Sequence, residues 1–179
     1  YKKLTPVEYK TFWLSKTPEE PGSKSWDAAI CRVVSYVKFF QPATGKFIHF
    51  FNTHFDHMGN QARRESAALL GARVAEIADG APVIVTGDFN ADAENSEPWA
   101  TLTKAGDLQD AYVAAPEKVG PRTSWCGFHE LDPLAVQRID WILSKNGVGA
   151  KKIETIVNTK VGQYASDHYA VAALLTLPF

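Results

Sequence analysis

The chain has 179 residues and a formal net charge of −1, and 45% of its residues are hydrophobic. This length suffices for one sizeable core and is short for two, so we expect a single domain over residues 1–179. A net charge near zero gives no broad basic surface, which disfavours nucleic acid as a partner. No apolar run is long enough to cross a membrane.

The cysteines and the first residues limit the choice of compartment only weakly. Cys31 and Cys126 form neither a metal-binding motif nor a disulfide framework, so we expect free thiols. The chain opens on Tyr1, and its single methionine is Met58. We therefore expect a fragment of a longer protein. Its compartment is left open, with a bacterial secreted or periplasmic location as one option.

The first elements are predicted to be strands. The aromatic patch at residues 12–14 predicts a short strand that runs into a loop rich in Pro and Gly. Residues 26–40 alternate in polarity, with Cys31, Val33 and Val37 on one face, and Cys31 is expected in the core. After a turn, residues 47–51 form a second strand. These two strands are expected to pair as a hairpin.

A strand–helix–strand unit follows. Residues 61–79 predict a helix because Ala67, Leu70 and Val74 recur at helical spacing. The apolar run that starts at Val83 predicts the next strand, and both strands are expected in one sheet. Such a run is typical of a strand buried on both faces, and open α/β sheets bind ligands at the carboxyl ends of their strands.

The second half of the chain is less regular. Ser96 and Pro98 predict the start of a short helix. Residues 113–137 form a long irregular stretch, a feature that is usually functional in a compact domain. Strands are predicted at residues 138–143, 151–158 and 170–177.

Polar side chains stand at the ends or starts of four predicted strands. They are His54, Asp88 with Asn90, Asp140, and Asp167 with His168. Each cluster alone is explained equally well by ordinary turn or surface residues. A carboxylate inside a strand, such as Asp140, needs a partner if it is buried, and a histidine is the natural one.

The residue types in these clusters favour phosphoryl chemistry. Carboxylates and Asn are oxygen ligands, which suit Mg²⁺ or Mn²⁺ rather than Zn²⁺. Two histidines without a thiolate suit the stabilisation of charge on a phosphoryl group. The sequence therefore predicts a hydrolytic site built from strand ends.

Four motifs, in order, resemble those of a known superfamily. They are Asn52-Thr53-His54, Thr86-Gly87-Asp88-Phe89-Asn90, Arg138-Ile139-Asp140-Trp141-Ile142 and Ser166-Asp167-His168-Tyr169. The series resembles the endonuclease/exonuclease/phosphatase superfamily, the deoxyribonuclease-like metal-dependent phosphoesterases. The similarity extends from about residue 12 to the end of the chain. It implies an α/β fold, a four-layer α/β/β/α sandwich of two mixed sheets.

The resemblance also implies roles for the histidines. His168 would contact the scissile phosphate, and Asp140 would orient its ring. His54 would bind and polarise the phosphate.

The remaining roles concern water and metal. By the same resemblance, Asp88 would activate or position the attacking water and be held by Asn90. Asp167 would lie near or on the divalent cation, Mg²⁺ or Mn²⁺. The reaction would be in-line hydrolysis without a covalent enzyme intermediate.

The chain departs from the family pattern at its beginning. Members of the family carry, upstream of these motifs, an Asn on the first strand and a Glu that is the principal metal ligand, and neither is found in this chain. Roughly the first third of the usual domain is absent. We expect a fragment that the missing N-terminal segment completes. The alternative is an inactive relative that keeps the fold as a binding module.

These motifs do not identify the substrate, and three further residues are candidates for binding it. Phosphomonoesters and phosphodiesters both fit, and a small or lipid-derived phosphoester is favoured because an unspecific nuclease, the alternative, needs a basic surface. Arg32 could contact a substrate phosphate or form an ordinary salt bridge on a strand face. Trp125 and Phe128 could form an aromatic wall for a base, sugar or lipid, or plug the core beneath their loop.

Overall fold

The computed structural model describes residues 3–130, 132, 134–157 and 163–179. Its strands are β1 (Thr5–Trp13), β2 (Val33–Gln41), β3 (Lys46–His54), β4 (Val83–Asp88), β5 (Gln109–Asp110), β6 (Glu117–Val119), β7 (Asp140–Lys145), β8 (Gly149–Ile156) and β9 (Ala170–Thr176). Its helices are α1 (Asn60–Ala78), α2 (Glu97–Ala100) and α3 (Ala111–Ala114), and a π-helical turn spans Thr101–Ala105. None of the helices among the described residues combines the length and the hydropathy of a membrane span.

The strands form two mixed sheets, as the family resemblance implied. The larger sheet has six strands in the order β1-β2-β3-β4-β7-β5, and the smaller has three in the order β6-β8-β9. β2 and β3 pair as the expected antiparallel hairpin. β3 and β4 are parallel and joined by α1, which confirms the predicted strand–helix–strand unit.

The main core lies between the larger sheet and α1. The helix contributes Ala67, Leu70 and Val74, and the sheet contributes residues such as Val34 and Val85, all with 2% or less of their surface exposed. Fully burying an aliphatic side chain of this size stabilises the fold by about 1.5–3 kcal/mol. A second cluster, centred on Ile153, packs the smaller sheet against β7 on the opposite face.

The alternation of residues 26–40 predicted the wrong strand start and the wrong buried face. β2 begins only at Val33, and the residues before it form turns and loop. Its fully buried residues are Val34 and Tyr36, because these face α1. Val33 and Val37 are half-buried, and Cys31 is exposed rather than in the core.

Two other strand predictions need adjustment. β4 is fully buried on the face of Val83 and Val85, whereas Ile84 and Thr86 on its other face are only half-buried. The smaller sheet packs on β7 and leaves that face of β4 partly open. β8 ends at Ile156, and residue 158 of the predicted strand lies outside the described residues.

A buried histidine makes the stability of this fold sensitive to pH. His49 is 3% exposed, and its Nδ1 lies 3.0 Å from the hydroxyl of Tyr36. Burial and the charge of Lys38 lower the pKa of His49, so the folded protein holds this ring neutral. The unfolded chain takes up the proton near the ordinary value of 6.5, so stability is present above that pH and is lost as the pH falls below it.

We therefore expect the contribution of His49 to decrease the free energy of unfolding when the pH is lowered from about 7.5 to about 5.5. The variant His49→Gln keeps a polar group but does not titrate, so its stability should depend less on pH over this interval. Urea denaturation of both proteins at the two pH values measures this. An unchanged pH dependence in the variant would contradict the assignment.

Candidate active site

Three strand ends meet at one edge of the larger sheet. β3 and β4 are parallel and β7 is antiparallel to β4, so the carboxyl ends of β3 and β4 lie beside the start of β7. The register pairs His54 with Asp88, and Asp88 with Asp140. These three residues therefore stand in a row across adjacent strands.

A buried aromatic residue follows each member of this row. Phe55, Phe89 and Trp141 are 0%, 0% and 1% exposed. The rings of Phe89 and Trp141 are stacked with their centroids 4.2 Å apart, and Phe55 meets Phe89 edge-on at 4.9 Å. Such pairs contribute about 0.5–1.5 kcal/mol beyond the area they bury. The aromatic cluster of Phe55, Phe89 and Trp141 therefore fixes the three strand ends relative to one another.

Gly87 allows the close approach of β3 and β4 at this edge. A Cβ atom at Gly87 would lie 2.2 Å from the carbonyl oxygen of Thr53. Any side chain there would push the strands apart and displace the neighbouring Asp88.

His168 and Asp140 form a hydrogen-bonded pair. Nδ1 of His168 lies 2.7 Å from Oδ2 of Asp140, so the ring donates through Nδ1 to the carboxylate. The other ring nitrogen, Nε2, is 3.8 Å from Oδ2 of Asp88. Burial disfavours the charged ring, but the hydrogen bond and the charge of Asp140 outweigh it and raise the pKa of His168. The expectation that a histidine partners Asp140 is confirmed.

His54 and Asp88 form a second pair, in which the pKa of the histidine is lowered rather than raised. Nε2 of His54 lies 3.1 Å from Oδ2 of Asp88. Burial lowers the pKa of His54 more than the charge of Asp88 raises it. Burial, together with the nearby charge of Asp140, raises the pKa of Asp88. Both groups are thus shifted towards their neutral forms, and Asp88 is a stronger base than an exposed aspartate.

Asn90 is fixed by two contacts and holds Asp88 in turn. Its backbone N–H donates to Oδ1 of Asp88 at 2.8 Å, and its Nδ2 donates to the carbonyl of Phe55 at 3.0 Å. Its φ of 48° lies in the left-handed region, which Asn adopts more readily than most residues. The side chain of Asn90 therefore ties the end of β4 to the end of β3.

The long loop before β7 holds the segment that carries His168. The backbone N–H groups of Cys126 and Gly127 donate to the carbonyl of Asp167 at 2.9 and 3.0 Å. Trp125 also forms an isolated β-bridge with His168. The loop predicted to be functional therefore fixes the backbone of Asp167 and His168.

These residues line one cleft of about 690 Å³. Its walls are Arg32, His54, His57, Asp88, Asn90, Trp125, Ile139, Asp140, Ser166, Asp167 and His168. All six residues of the four predicted polar clusters are thus brought together. Arg32 and Trp125 join them, whereas Phe128 is 57% exposed and is not among the described residues that line the cleft.

His57 and Ser166 line the cleft without having been predicted as site residues. His57 follows His54 by three positions in a loop, where periodicity predicts no direction for a side chain. Ser166 belongs to the motif before His168, and its Oγ accepts a hydrogen bond from the backbone N–H of His168 at 3.1 Å.

Part of the cleft fits a divalent cation. Asp88, Asp140 and His168 each offer a ligand atom, and these atoms lie within 4.8 Å of one another. Hard cations such as Mg²⁺ and Mn²⁺ take about six ligands, mostly oxygen. The two carboxylates and the imidazole supply part of such a set, and the remaining positions suit water and phosphoryl oxygens. Asp167 lines the same cleft outside this group of three.

The sequence profile of the endonuclease/exonuclease/phosphatase family matches residues 2–168. The chain belongs to this family. Its members generally hydrolyse phosphoester bonds and are typically metal-dependent. The curated relatives include the uncharacterized protein YbhP of Escherichia coli, which is 41% identical over 153 residues, 86% of this chain and 56% of the relative. The chain thus spans about half the length of the curated relatives that it matches.

Solved structures confirm the fold. An endonuclease/exonuclease/phosphatase from Bacteroides vulgatus is 34% identical with a TM-score of 0.91, over 98% of this chain and 67% of that one. A mannosyl-6-phosphatase from Bacteroides thetaiotaomicron is 33% identical with a TM-score of 0.85, over 98% of this chain and 68% of that one. The catalytic domain of human Nocturnin, at 19% identity and a TM-score of 0.72, is similar in fold alone. The predicted deoxyribonuclease-like α/β sandwich is therefore confirmed.

The hydrogen bond between Asp140 and His168 leads to a prediction about titration. The variant Asp140→Asn removes the carboxylate charge that raises the pKa of His168, so this pKa should be lower than in the unmodified protein. NMR titration of the imidazole signals in metal-free protein measures it, with the other histidines as internal references. An unchanged pKa would show that Asp140 does not control the ring.

Proposed function

We propose that the complete protein is a divalent-metal-dependent phosphoesterase that hydrolyses a phosphomonoester or phosphodiester by in-line attack of water. The observation that carries this proposal is the convergence of two Asp–His pairs on one cleft. Asp140 with His168, and Asp88 with His54, lie within 3.1 Å of their partners. Preorganised charge of this kind is what phosphoryl transfer requires.

The proposed roles follow from the contacts. Asp88 takes the proton of the attacking water, a role that its raised pKa and its hydrogen bond from Asn90 support. His168, with Nδ1 held by Asp140, donates through Nε2 to an oxygen of the scissile phosphate. His54 stands on the other side of Asp88 and is proposed to bind and polarise the phosphate.

Two further groups complete the binding of the phosphate. Asp167, which lines the same cleft, is proposed to lie near or on a divalent cation, which would neutralise charge on the phosphoryl oxygens when it is bound. Arg32 lines the same cleft and is half-buried, and its Nε is buried without a hydrogen-bond partner among the described residues. A guanidinium in this position suits a phosphate oxygen, so we assign Arg32 to substrate binding rather than to a strand-face salt bridge.

A small or lipid-derived phosphoester is the proposed substrate class. Trp125 is 53% exposed in the cleft, and a sugar ring or another apolar surface could pack on its indole. Phe128 is proposed to extend this wall from the same loop. The similarity to a mannosyl-6-phosphatase favours a phosphomonoester. A nuclease of the same family is the second candidate, and the net charge of −1 weighs against it.

The catalytic domain is proposed to include an N-terminal segment in addition to residues 1–179. This chain covers 67% and 68% of two matched structures, so about one-third of each lies outside the covered part. One face of β4 is only half-buried, and Tyr9 on β1 is 81% exposed. An added segment would cover this face and bring the remaining metal ligands. If no such segment exists, the binding-module alternative becomes the better account.

Removing either central group should abolish turnover. The variants Asp88→Ala and His168→Ala are expected to lower kcat by about 10²–10⁴-fold, the range for loss of a general base or a positioned proton donor. Phosphate release from a panel of phosphoesters with Mg²⁺ or Mn²⁺ measures this. The exposed His129, which does not line the cleft, provides the control variant His129→Ala.

Circular dichroism of each variant tests whether the fold is intact. Activity like that of the unmodified protein in either Asp88→Ala or His168→Ala would refute the assigned roles.

The complete protein should bind metal more tightly than residues 1–179 alone. Each added carboxylate ligand strengthens a hard-cation site, so we expect a difference of about tenfold or more in the dissociation constant for Mn²⁺. Isothermal titration of both proteins, with their lengths verified by intact mass, measures this. Equal affinities would contradict the proposal that an N-terminal segment completes the site.

A further inference from the structure

A buried carboxylate fixes the loop that follows β3. Asp56 is 1% exposed. Its Oδ1 accepts hydrogen bonds from the backbone N–H groups of Met58 and Gly59, at 2.9 and 2.7 Å. Its Oδ2 accepts from Ala29 and Ile30, at 2.9 and 3.2 Å. One side chain thus joins the backbone after β3 to the loop that leads into β2.

This carboxylate keeps its charge over a wide range of pH. Burial opposes ionisation, but the four backbone donors outweigh it and lower the pKa of Asp56 to about 2. A second aspartate reinforces the same junction. Asp27 accepts hydrogen bonds from the backbone N–H groups of Gln61 and Ala62, and so caps α1 in place of a residue at the helix start.

The junction brings His57 beside Arg32. His57 lies between Asp56 and residues 58 and 59, whose backbone N–H groups donate to Oδ1 of Asp56. The backbone of His57 is therefore fixed. Nη2 of Arg32 lies 3.4 Å from Nδ1 of His57. Because a guanidinium only donates, Nδ1 must accept, and the ring proton is on Nε2. The side chain of His57 lines the catalytic cleft and therefore offers a hydrogen-bond donor there, its Nε2–H.

The mechanism proposed above leaves this donor unused. His54 and His168 lie on either side of Asp88, at 3.1 and 3.8 Å from its Oδ2. Each of these two histidines is in a position to bind one phosphoryl oxygen. A phosphomonoester has a third terminal oxygen, which carries negative charge, whereas in a diester this position is esterified.

We propose that His57, next to Arg32, binds the third terminal oxygen of a phosphomonoester and thereby selects monoesters over diesters. This inference rests on the proposed phosphoesterase function. A diester would place an uncharged ester oxygen and its substituent against the His57 donor and the Arg32 cation. The ester oxygen lacks the charge, and the substituent lacks the small size, that this position suits. His57 is in this view a specificity-determining residue, and Arg32 anchors the phosphate in both classes.

Two substrates with the same leaving group test this, 4-nitrophenyl phosphate and methyl 4-nitrophenyl phosphate. In the complete protein, His57→Ala should lower kcat/KM for the monoester about tenfold, the effect of one lost hydrogen bond to a charged acceptor. It should change kcat/KM for the diester less than about twofold. His129→Ala, at an exposed position outside the cleft, is the matched control.

Two conservative variants show which ring nitrogen matters. The amide of Gln reaches the position of Nε2, so His57→Gln should restore most of the preference for the monoester. The amide of Asn reaches only the position of Nδ1, so His57→Asn should not. An equal loss for both substrates, or no loss for either, would overturn the proposal.

Binding of inorganic phosphate separates this inference from the proposed function. Isothermal titration should show about tenfold weaker binding to His57→Ala than to the unmodified protein. If the unmodified protein hydrolyses neither substrate, the proposed function fails, and weaker phosphate binding by the variant would still support a phosphate contact at His57. Unchanged phosphate binding would overturn that contact whatever the activity.

Discussion

The stacking of Phe89 on Trp141 is the contact on which the candidate site depends most directly. Their ring centroids are 4.2 Å apart, and both side chains are fully buried. Phe89 follows Asp88, and Trp141 follows Asp140. Because neighbouring residues of a strand point to opposite faces, burying each aromatic ring turns the carboxylate before it towards the cleft. Packing of the two aromatic rings in the core thus determines the position of the two carboxylates.

The electrostatics of the cleft follow from the same crowding. Asp88, Asp140 and Asp167 line one small space, and the charge of Asp140 helps raise the pKa of Asp88. Burial favours the neutral form of His54, whereas the hydrogen bond to Asp140 favours the charged form of His168. An excess of carboxylates in a partly buried site is most stable with a bound cation nearby, which agrees with the metal dependence typical of the family.

Sequence reasoning succeeded where the pattern is local. α1 was predicted from helical spacing, the β2–β3 hairpin from a short turn between two apolar runs, and β4 from a β-branched run. The error at residues 26–32 has a physical reason. That segment alternates in polarity like a strand, but Asp56 takes up the backbone N–H groups of Ala29 and Ile30, which a strand would need for pairing.

Within residues 1–179 the second face of β4 is less buried than predicted, for a reason outside the local pattern. An apolar run predicts burial on both sides, but burial of Ile84 depends on what packs above it. In the described structure the smaller sheet lies over β7 instead. Composition alone carries no information about which neighbour covers a given face.

The longer elements, the family and the six polar residues at the strand ends could be predicted from the sequence, because these depend on short-range periodicity and on ordered motifs. Which side chains meet in the cleft follows only from the three-dimensional fold. The pairing of His54 with Asp88 follows from strand register, the proton position on His168 from its hydrogen bond to Asp140, and the approach of His57 to Arg32 from the carboxylate of Asp56. Each joins residues distant in the chain, and packing of the whole domain sets such distances rather than any local preference.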